Sequence, residues 1–205
     1  MRRTPSIVLL EVERKFASLK CYPLRVDSGF PPFSSLTDLG HRHFHDTYYD
    51  YNGQLWKKGT WLRRRDGEWQ MKIRGGGDYI NSRSEEVSDL ATISTHIKSL
   101  TGLDYDAKRL FGLSHFASFS TRRRAWIADS EFKIVLDRTD FGHTVGEVEL
   151  ETSVNARDGG AAQSVMRSMD ERIVAFVRHY AWAFSSETPV GKLSAYFAWQ
   201  SSEKT

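Results

Sequence analysis

The chain lacks the features that mark disulfide-stapled, zinc-finger and membrane proteins. A single cysteine, Cys21, among 205 residues excludes an internal disulfide framework and a zinc site built from several cysteines. No segment approaches the roughly 20 apolar residues that a membrane span needs. The apolar segment 7–10 ends at Glu11 and is too short for the core of a secretory signal. We therefore expect a cytoplasmic protein with no membrane partner.

Neither sign of charge dominates. The chain has 29 Lys and Arg against 26 Asp and Glu, so its formal net charge is +3, which permits an anionic partner without requiring one. Hydrophobic residues make up 40% and charged residues 27%, which excludes a disordered chain. The length suits a single domain over residues 1–205, and no internal repeat divides it.

Alternating apolar residues predict mostly strands, with two helices. The predicted strands are 7–16, 41–51, 60–65, 68–74, 118–128, 131–136 and 144–153. Turn signals stand between them, and Asp66-Gly67 predicts a two-residue hairpin. Helical spacing predicts helices over 88–100, with Ser88 as N-cap, and over 161–184, and a short helix is expected near 34–39. This order indicates an α+β fold, an antiparallel sheet with helices packed outside.

Charged side chains recur at alternate positions, and such positions share one face of a strand. Four predicted strands carry these rows: Glu11, Glu13 and Lys15; Arg63 and Arg65 beside Trp61; Lys72 beside Gln70 and Arg74; Glu147, Glu149 and Glu151. A solvated face normally mixes signs, whereas here one row is almost purely acidic and another almost purely basic. Facing each other across a closed barrel, the rows would bind a polyanion and its metal. Carboxylate oxygens suit Mg²⁺, and Arg and Lys hold phosphate oxygens.

A set of motifs resembles the CYTH superfamily, the triphosphate tunnel metalloenzymes. The first is the E-x-E-x-K pattern at Glu11, Glu13 and Lys15. The others follow in family order: Asp46-Thr47-Tyr48-Tyr49-Asp50, Trp61-Leu62-Arg63-Arg64-Arg65, Trp69-Gln70-Met71-Lys72, Ser120-Thr121-Arg122-Arg123-Arg124-Ala125-Trp126, Asp140-Phe141-Gly142, Gly146-Glu147-Val148-Glu149 and Gly191-Lys192-Leu193. The wording is most similar to the thiamine-triphosphatase branch of the family. The resemblance implies an eight-stranded antiparallel β-barrel whose interior is a tunnel, with flanking helices.

The resemblance also implies an activity and a set of site residues. The activity is Mg²⁺-dependent hydrolysis of thiamine triphosphate to thiamine diphosphate and phosphate, with one or two Mg²⁺ ions, Mn²⁺ as a substitute, a small-molecule triphosphate as the partner, and a monomeric chain. The implied metal ligands are Glu11, Glu13, Asp137, Glu147 and Glu149. The residues expected to bind substrate are Lys15, Tyr48, Trp61, Arg63, Arg65, Lys72, Arg123 and Lys192. Lys15 is also a candidate catalytic base, provided that its pKa is lowered inside the tunnel.

Three positions of this chain bear on that pattern. Val135 stands where the family pattern has the first of two acidic residues, so we expect one acidic contact to the metal to be missing or replaced by water. Strand alternation does not choose between Arg123 and its neighbours Arg122 and Arg124, whereas the resemblance selects Arg123. Trp61 shares the face of Arg63, and an aromatic ring there suits the cationic thiazolium of thiamine better than a bare polyphosphate.

Other readings of the same residues remain open. His41, His43 and His45 have metal-site spacing, but alternation puts them on the face opposite Tyr48, and a surface role is favoured. The arginine-rich segments 63–65 and 122–124 with nearby tryptophans could form a nucleic-acid surface, although the acidic rows would repel phosphate, so we expect no nucleic-acid partner. An inorganic triphosphatase, an adenylate cyclase and a non-enzymatic polyphosphate-binding barrel are the alternatives to a thiamine-triphosphatase.

Overall fold

Eight antiparallel strands make up most of the chain. The structure, a computed structural model, describes residues 7–155 and 159–203. The strands are β1 (Ile7–Phe16), β2 (Leu36–Asp50), β3 (Thr60–Arg65), β4 (Glu68–Gly77), β5 (Asn81–Val87), β6 (Ser114–Ala128), β7 (Phe132–Thr139) and β8 (Thr144–Asn155). They pair in the order β1-β5-β4-β3-β2-β6-β7-β8 and close into a ring. The predicted tunnel-like barrel is confirmed.

Helices lie outside and at one end of this ring. They are α1 (Gln54–Lys57), α2 (Leu90–Thr101), α3 (Gly159–His179) and α4 (Lys192–Ser202), with a 3₁₀ helix at Ala107–Gly112. No helix within the described ranges 7–155 and 159–203 is long and apolar enough to cross a membrane. The predicted hairpin is confirmed: Asp66 and Gly67 join β3 to β4, and both have positive φ angles, 49° and 96°, as two-residue hairpin loops require.

The outer face of the ring supplies the apolar surface that packs the helices. On β1, Leu10 and Val12 point outward and are fully buried against α3, in a cluster that includes Met166 and Ile173. On the other side, Leu62 of β3 belongs to a second buried cluster, which consists of Tyr49, Leu55, Leu62, Trp69, Met71, Ile93, Ile97, Phe111 and Leu113. Because successive side chains of a strand alternate in direction, this outward packing turns the charged residues between these positions into the ring.

Helix α4 packs at the ring's interior rather than on its outer wall. Tyr196 of α4 joins Tyr48, Ala117 and Phe119 in a third buried cluster. The rings of Tyr48 and Phe119 stack with centroids 5.7 Å apart. This packing carries Lys192, the first residue of α4, to the cavity inside the ring. The helix was not predicted, although its lysine was.

One strand escaped prediction because neither of its faces is apolar. β5 reads Asn-Ser-Arg-Ser-Glu-Glu-Val, and it pairs with β1 and β4 to complete the ring. Ser82, Ser84 and Glu86 line the cavity. On the outer face, Arg83 approaches Asp170 of α3 at 3.9 Å. A strand with a polar face towards a charged lumen lacks the alternation that marks ordinary strands.

Several predicted boundaries were wrong, each for a local reason. The short helix near 34–39 does not form, because Leu36 begins β2 and pairs with Ala128. Asp89, not Ser88, caps α2, and its carboxylate accepts a hydrogen bond from the Thr92 N–H at 2.8 Å. The last helix predicted over 161–184 ends at His179, since the chain then turns so that Phe184 bridges to Leu19.

We predict that Gly146→Ala destabilises the barrel. Gly146 lies directly opposite Phe16 on the neighbouring strand, and a Cβ atom at Gly146 would meet the Phe16 ring at 2.1 Å. Overpacking of this kind costs about 1–3 kcal/mol in the free energy of unfolding, which urea denaturation would measure. Gly191→Ala is the control for space, since its Cβ would meet nothing closer than 3.7 Å, and as Gly191 is the N-cap of α4 a smaller loss of at most about 1 kcal/mol is expected. Equal losses of stability in the two variants would mean that contact with the Phe16 ring is not the cause of the loss.

Candidate functional site

The ring encloses a cavity whose walls are mostly charged. Its volume is about 610 Å³, within the usual range for a small-molecule site. Every predicted site residue except Asp137 lines it: Glu11, Glu13, Lys15, Tyr48, Trp61, Arg63, Arg65, Lys72, Arg123, Glu147, Glu149 and Lys192. The closed ring therefore brings together residues from both ends of the chain.

Carboxylates face one another across the pair β1 and β8. In this register Glu11 lies opposite Glu151, and Glu13 lies opposite Glu149. Carboxylate oxygens of Glu11, Glu149 and Glu151 come within 4.8 Å of one another. Like charges placed opposite each other destabilise a sheet, so this arrangement requires cations. Glu151 was noticed in the acidic row but was not among the predicted metal ligands.

Two lysines neutralise the β1 end of this group. Lys72 approaches Glu11 at 2.6 Å and Glu13 at 2.9 Å. Lys15 pairs with Glu13 and lies 3.7 Å from Glu147. Burial opposes ionisation of Glu13, but the ammonium groups of Lys72 and Lys15 outweigh it and hold the pKa of Glu13 well below its usual range.

Lys15 does not have the property that a general base would need. Burial alone would lower its pKa, but the charges of Glu13 and Glu147 outweigh burial and raise the pKa above its usual value. Lys15 therefore keeps its proton near neutral pH. The condition attached to Lys15 as a base is not met, and the residue can serve instead as a charged ligand of phosphate.

Asp46 on β2 orients the two arginines of β3. The Arg65 guanidinium donates two hydrogen bonds, at 2.8 and 2.7 Å, to the two carboxylate oxygens of Asp46, and Arg63 lies 4.0 Å away. Burial opposes ionisation of Asp46, but the hydrogen bonds from Arg65 and the charge of Arg63 lower its pKa. Asp46 belongs to one of the family motifs but was not among the predicted site residues, although it shares the inward face of Tyr48, which was the available signal.

Asp137 on β7 forms ion pairs and does not belong to the three-carboxylate group of Glu11, Glu149 and Glu151. Both of its oxygens accept hydrogen bonds from Arg123, at 2.7 and 2.8 Å, and Lys192 also pairs with it. Its side chain is almost completely buried behind these cations. Burial opposes ionisation of Asp137, but Lys192 and Arg123 hold its pKa well below its usual value. Through these contacts, the predicted metal ligand Asp137 connects β7 to β6 and to α4.

The directions of the three consecutive arginine side chains of β6 show which one faces the cavity. Arg123 points inward and lies 3.6 Å from both Glu147 and Glu149. Arg122 is exposed, and Arg124 pairs on the outside with Asp38 at 2.6 Å. The choice of Arg123 therefore agrees with its position in the cavity.

Among the charged residues of the cavity that were not predicted, Lys133 and Glu86 lie closest to predicted ones. Lys133 on β7 contacts Glu149 at 2.7 Å and Glu151 at 2.9 Å. Glu86 on β5 lies 4.0 Å from Arg63, and burial, reinforced by the charge of Glu11, raises the pKa of Glu86 to about 7. Burial likewise raises the pKa of Glu149 to about 8, although Arg123 opposes the shift.

The three histidines of β2 lie outside the cavity. His41, His43 and His45 are exposed on the outer face, as alternation predicted. The His45 ring contacts the hydroxyls of Ser118 and Ser120 at 2.9 and 3.0 Å. These contacts occupy both ring nitrogens, which leaves His45 without a free nitrogen for a metal.

Comparison with known proteins agrees with this geometry. Residues 9–169 match the family model of the CYTH domain. The chain belongs to the CYTH family. It is 32% identical over 183 residues to the thiamine-triphosphatase of Macaca fascicularis, an alignment covering 78% of this chain and 75% of that protein. The thiamine-triphosphatase of Homo sapiens gives the same identity and coverage.

The fold of this CYTH protein also matches solved structures. The PH1819 protein from Pyrococcus horikoshii OT3 superposes with a TM-score of 0.53 at 15% sequence identity. The match covers 92% of this chain and 98% of that one. At this identity the likeness concerns the fold alone. The two proteins share the arrangement of strands and helices over nearly their whole length.

We predict that Asp46→Asn destabilises the protein most at neutral pH. Because the pKa of Asp46 is lowered in the fold, its charge contributes stability above the unfolded value of about 3.9, and this contribution is lost as the pH falls further. The difference in free energy of unfolding between wild type and variant should therefore stay nearly constant from about pH 7 to pH 5 and shrink as the pH falls from about 4 towards 2. Urea denaturation at several pH values measures it.

The exposed Asp104, paired with Lys98 on the surface, provides the control. Asp104→Asn should change the free energy of unfolding by less than about 0.5 kcal/mol at neutral pH. A difference for Asp46→Asn that stays constant over the whole pH range would mean that the charge of Asp46 is not what stabilises the arginines.

Proposed function

We propose that the protein hydrolyses the terminal phosphate of thiamine triphosphate, releasing thiamine diphosphate and phosphate, with Mg²⁺ as cofactor. The observation that carries the proposal is the division of charge in one cavity. Carboxylates of β1 and β8 form one wall, and guanidinium and ammonium groups of the other strands and α4 form the rest. A triphosphate needs cations around its oxygens, and its metal needs carboxylates close to them.

The donor atoms fit a hard divalent cation. Glu11, Glu149 and Glu151 offer oxygens within 4.8 Å of one another, and oxygen is the ligand type that Mg²⁺ and Mn²⁺ prefer. These residues would hold the ion, with Glu13 and Glu147 on the same two strands. A bound Mg²⁺ would supply neutralisation of phosphate charge and activation of a water nucleophile.

The protein's own cations would hold the phosphates. Arg63 keeps donor capacity for a ligand, because its carboxylate neighbours Asp46 and Glu86 are both 4.0 Å away and its Nε donates to Gln70 at 3.0 Å. Arg65 and Arg123 are oriented by bidentate pairing, so little ordering is required when a phosphate binds. Charged donors held in place in this way stabilise the charge that develops on the transferred and leaving groups.

The placement of the arginines favours a small substrate over a nucleic acid. The side chains of Arg63, Arg65 and Arg123 are only 19, 11 and 13% exposed, because they point into the cavity. A nucleic-acid surface would present its basic residues on an exposed stripe. The cavity instead suits a compact polyanion that enters the ring.

Aromatic residues in the cavity support an organic triphosphate. Trp61 lines the cavity next to Arg63 on the same face of β3, and Trp56 and Phe197 line it as well. A tripolyphosphate gains little from aromatic rings, whereas the positive thiazolium of thiamine can lie over an indole face. The names of the mammalian relatives support the same substrate.

A panel of substrates tests this function. Thiamine triphosphate, tripolyphosphate and ATP are each offered with Mg²⁺ and then with EDTA, and phosphate release is measured for the wild type and for Glu149→Gln. We expect thiamine triphosphate to be hydrolysed fastest and EDTA to stop the reaction. Glu149→Gln replaces a carboxylate that can bind the metal by a neutral amide with little change in volume, so the rate should fall roughly 100-fold or more while circular dichroism stays unchanged.

Glu68→Gln is the matched control, because Glu68 is exposed outside the barrel cavity. It should keep the wild-type rate. Faster hydrolysis of tripolyphosphate than of thiamine triphosphate would favour an inorganic triphosphatase, and turnover in EDTA would contradict the metal requirement.

Trp61→Ala tests the organic part of the substrate. A cation–π contact contributes about 0.5–2 kcal/mol, so the KM for thiamine triphosphate should rise by roughly 2- to 30-fold. The KM for tripolyphosphate should change much less. Trp61→Phe keeps an aromatic face, so its KM for thiamine triphosphate should lie between those of the wild type and Trp61→Ala. If both substrates lose affinity equally in Trp61→Ala, the indole only supports the barrel wall.

A further inference from the structure

Lys133 occupies the carboxylate group that would hold the metal. It lies on β7 directly opposite Glu149, and its Nζ is 2.7 Å from a carboxylate oxygen of Glu149. The same Nζ is 2.9 Å from Glu151. Glu149 and Glu151 are two of the three residues whose oxygens lie within 4.8 Å of one another, the third being Glu11. One ammonium group thus bridges most of the donor set.

The rest of β7 makes this placement more consequential. Its inward positions are Lys133, Val135 and Asp137. Val135 is fully buried and offers no ligand atom, and both oxygens of Asp137 are bonded to Arg123. This strand therefore contributes a cation to the carboxylate group and no available carboxylate. Among the described residues, the three carboxylates within 4.8 Å of one another come from β1 and β8.

We propose that Lys133 is an internal counter-ion of the carboxylate group that competes with the divalent metal for Glu149 and Glu151, and so sets the metal affinity. In the metal-free protein it neutralises carboxylates that would otherwise repel one another across β1 and β8. Its side chain is 31% exposed, so it can leave these oxygens without unfolding of the barrel. The inference rests on the proposed function, because it concerns the same metal site.

Metal affinity measured without substrate tests the competition. Titration with Mn²⁺, followed by the electron paramagnetic resonance signal of the free ion, gives the Kd for wild type, Lys133→Met and Lys133→Arg. Charge-assisted hydrogen bonds are strong enough that their removal should tighten Mn²⁺ binding about ten-fold in Lys133→Met. Lys133→Arg keeps the charge and should stay near the wild-type value. Lys98→Met removes an exposed lysine paired with Asp104 and should leave Kd unchanged.

Thermal unfolding gives a second readout. In EDTA, Lys133→Met should have a lower Tm than wild type, because its carboxylates lose their counter-ion. Saturating Mn²⁺ should raise the Tm of the variant more than that of the wild type, since tighter binding stabilises the folded state more. A merely structural lysine would lower Tm equally in both conditions. If Lys133→Met does not fold in EDTA, Lys133→Gln supplies the same comparison with a neutral donor.

The outcomes separate this inference from the proposed function. Tighter Mn²⁺ binding in Lys133→Met, with Lys98→Met unchanged, supports the competition. Equal or weaker binding in Lys133→Met than in a wild type that binds Mn²⁺ overturns the inference and leaves the proposed function intact. Failure of every variant to bind Mn²⁺ overturns both.

Discussion

Carboxylates that face each other inside a closed ring must be neutralised by cations from other strands, and this requirement governs the molecule. The pair β1 and β8 places Glu13 opposite Glu149 inside the ring, where both are buried and bulk solvent does little to screen their repulsion. Lys72 reaches Glu13 from β4, and Arg123 reaches Glu149 from β6. The interior is therefore stable only when the whole ring is assembled, since a charge left unpaired in a buried site is costly.

The same requirement supports the proposal that the interior binds a triphosphate. The charges that neutralise one another in the free protein are those that a metal and a polyanion would engage. Lys72 shares its ammonium between Glu11 and Glu13, and Lys192 is fastened to Asp137. In the proposed function, a triphosphate with its metal would replace protein–protein ion pairs by protein–ligand ones of the same kind. The cost of desolvating the charges has already been met during folding, which favours a rigid site.

Much of this site could be predicted from alternation alone. Period-two spacing put Glu11, Glu13 and Lys15 on one face, and the same argument excluded the three histidines of β2. Residues were missed where the local pattern is silent. β5 has no apolar face, so it was not predicted as a strand and its Glu86 was not assigned to the site. Lys133 has no other basic residue at the alternate positions of β7, so it formed no charged row. Asp46 stood in a family motif on the face of Tyr48, but spacing along the chain does not show that it pairs with Arg65 of the neighbouring strand.

The amino-acid sequence by itself determined which side chains would share a face, because the alternation of a strand is a local property of the backbone. It also carried the family motifs. Only the tertiary structure decided which faces meet: that Asp137 pairs with Arg123 and Lys192, and that Lys133 bridges Glu149 and Glu151. The order in which strands pair depends on closure of the ring and on packing of the outer apolar faces against the helices. Those contacts join residues far apart in the chain, and spacing along the sequence does not encode them.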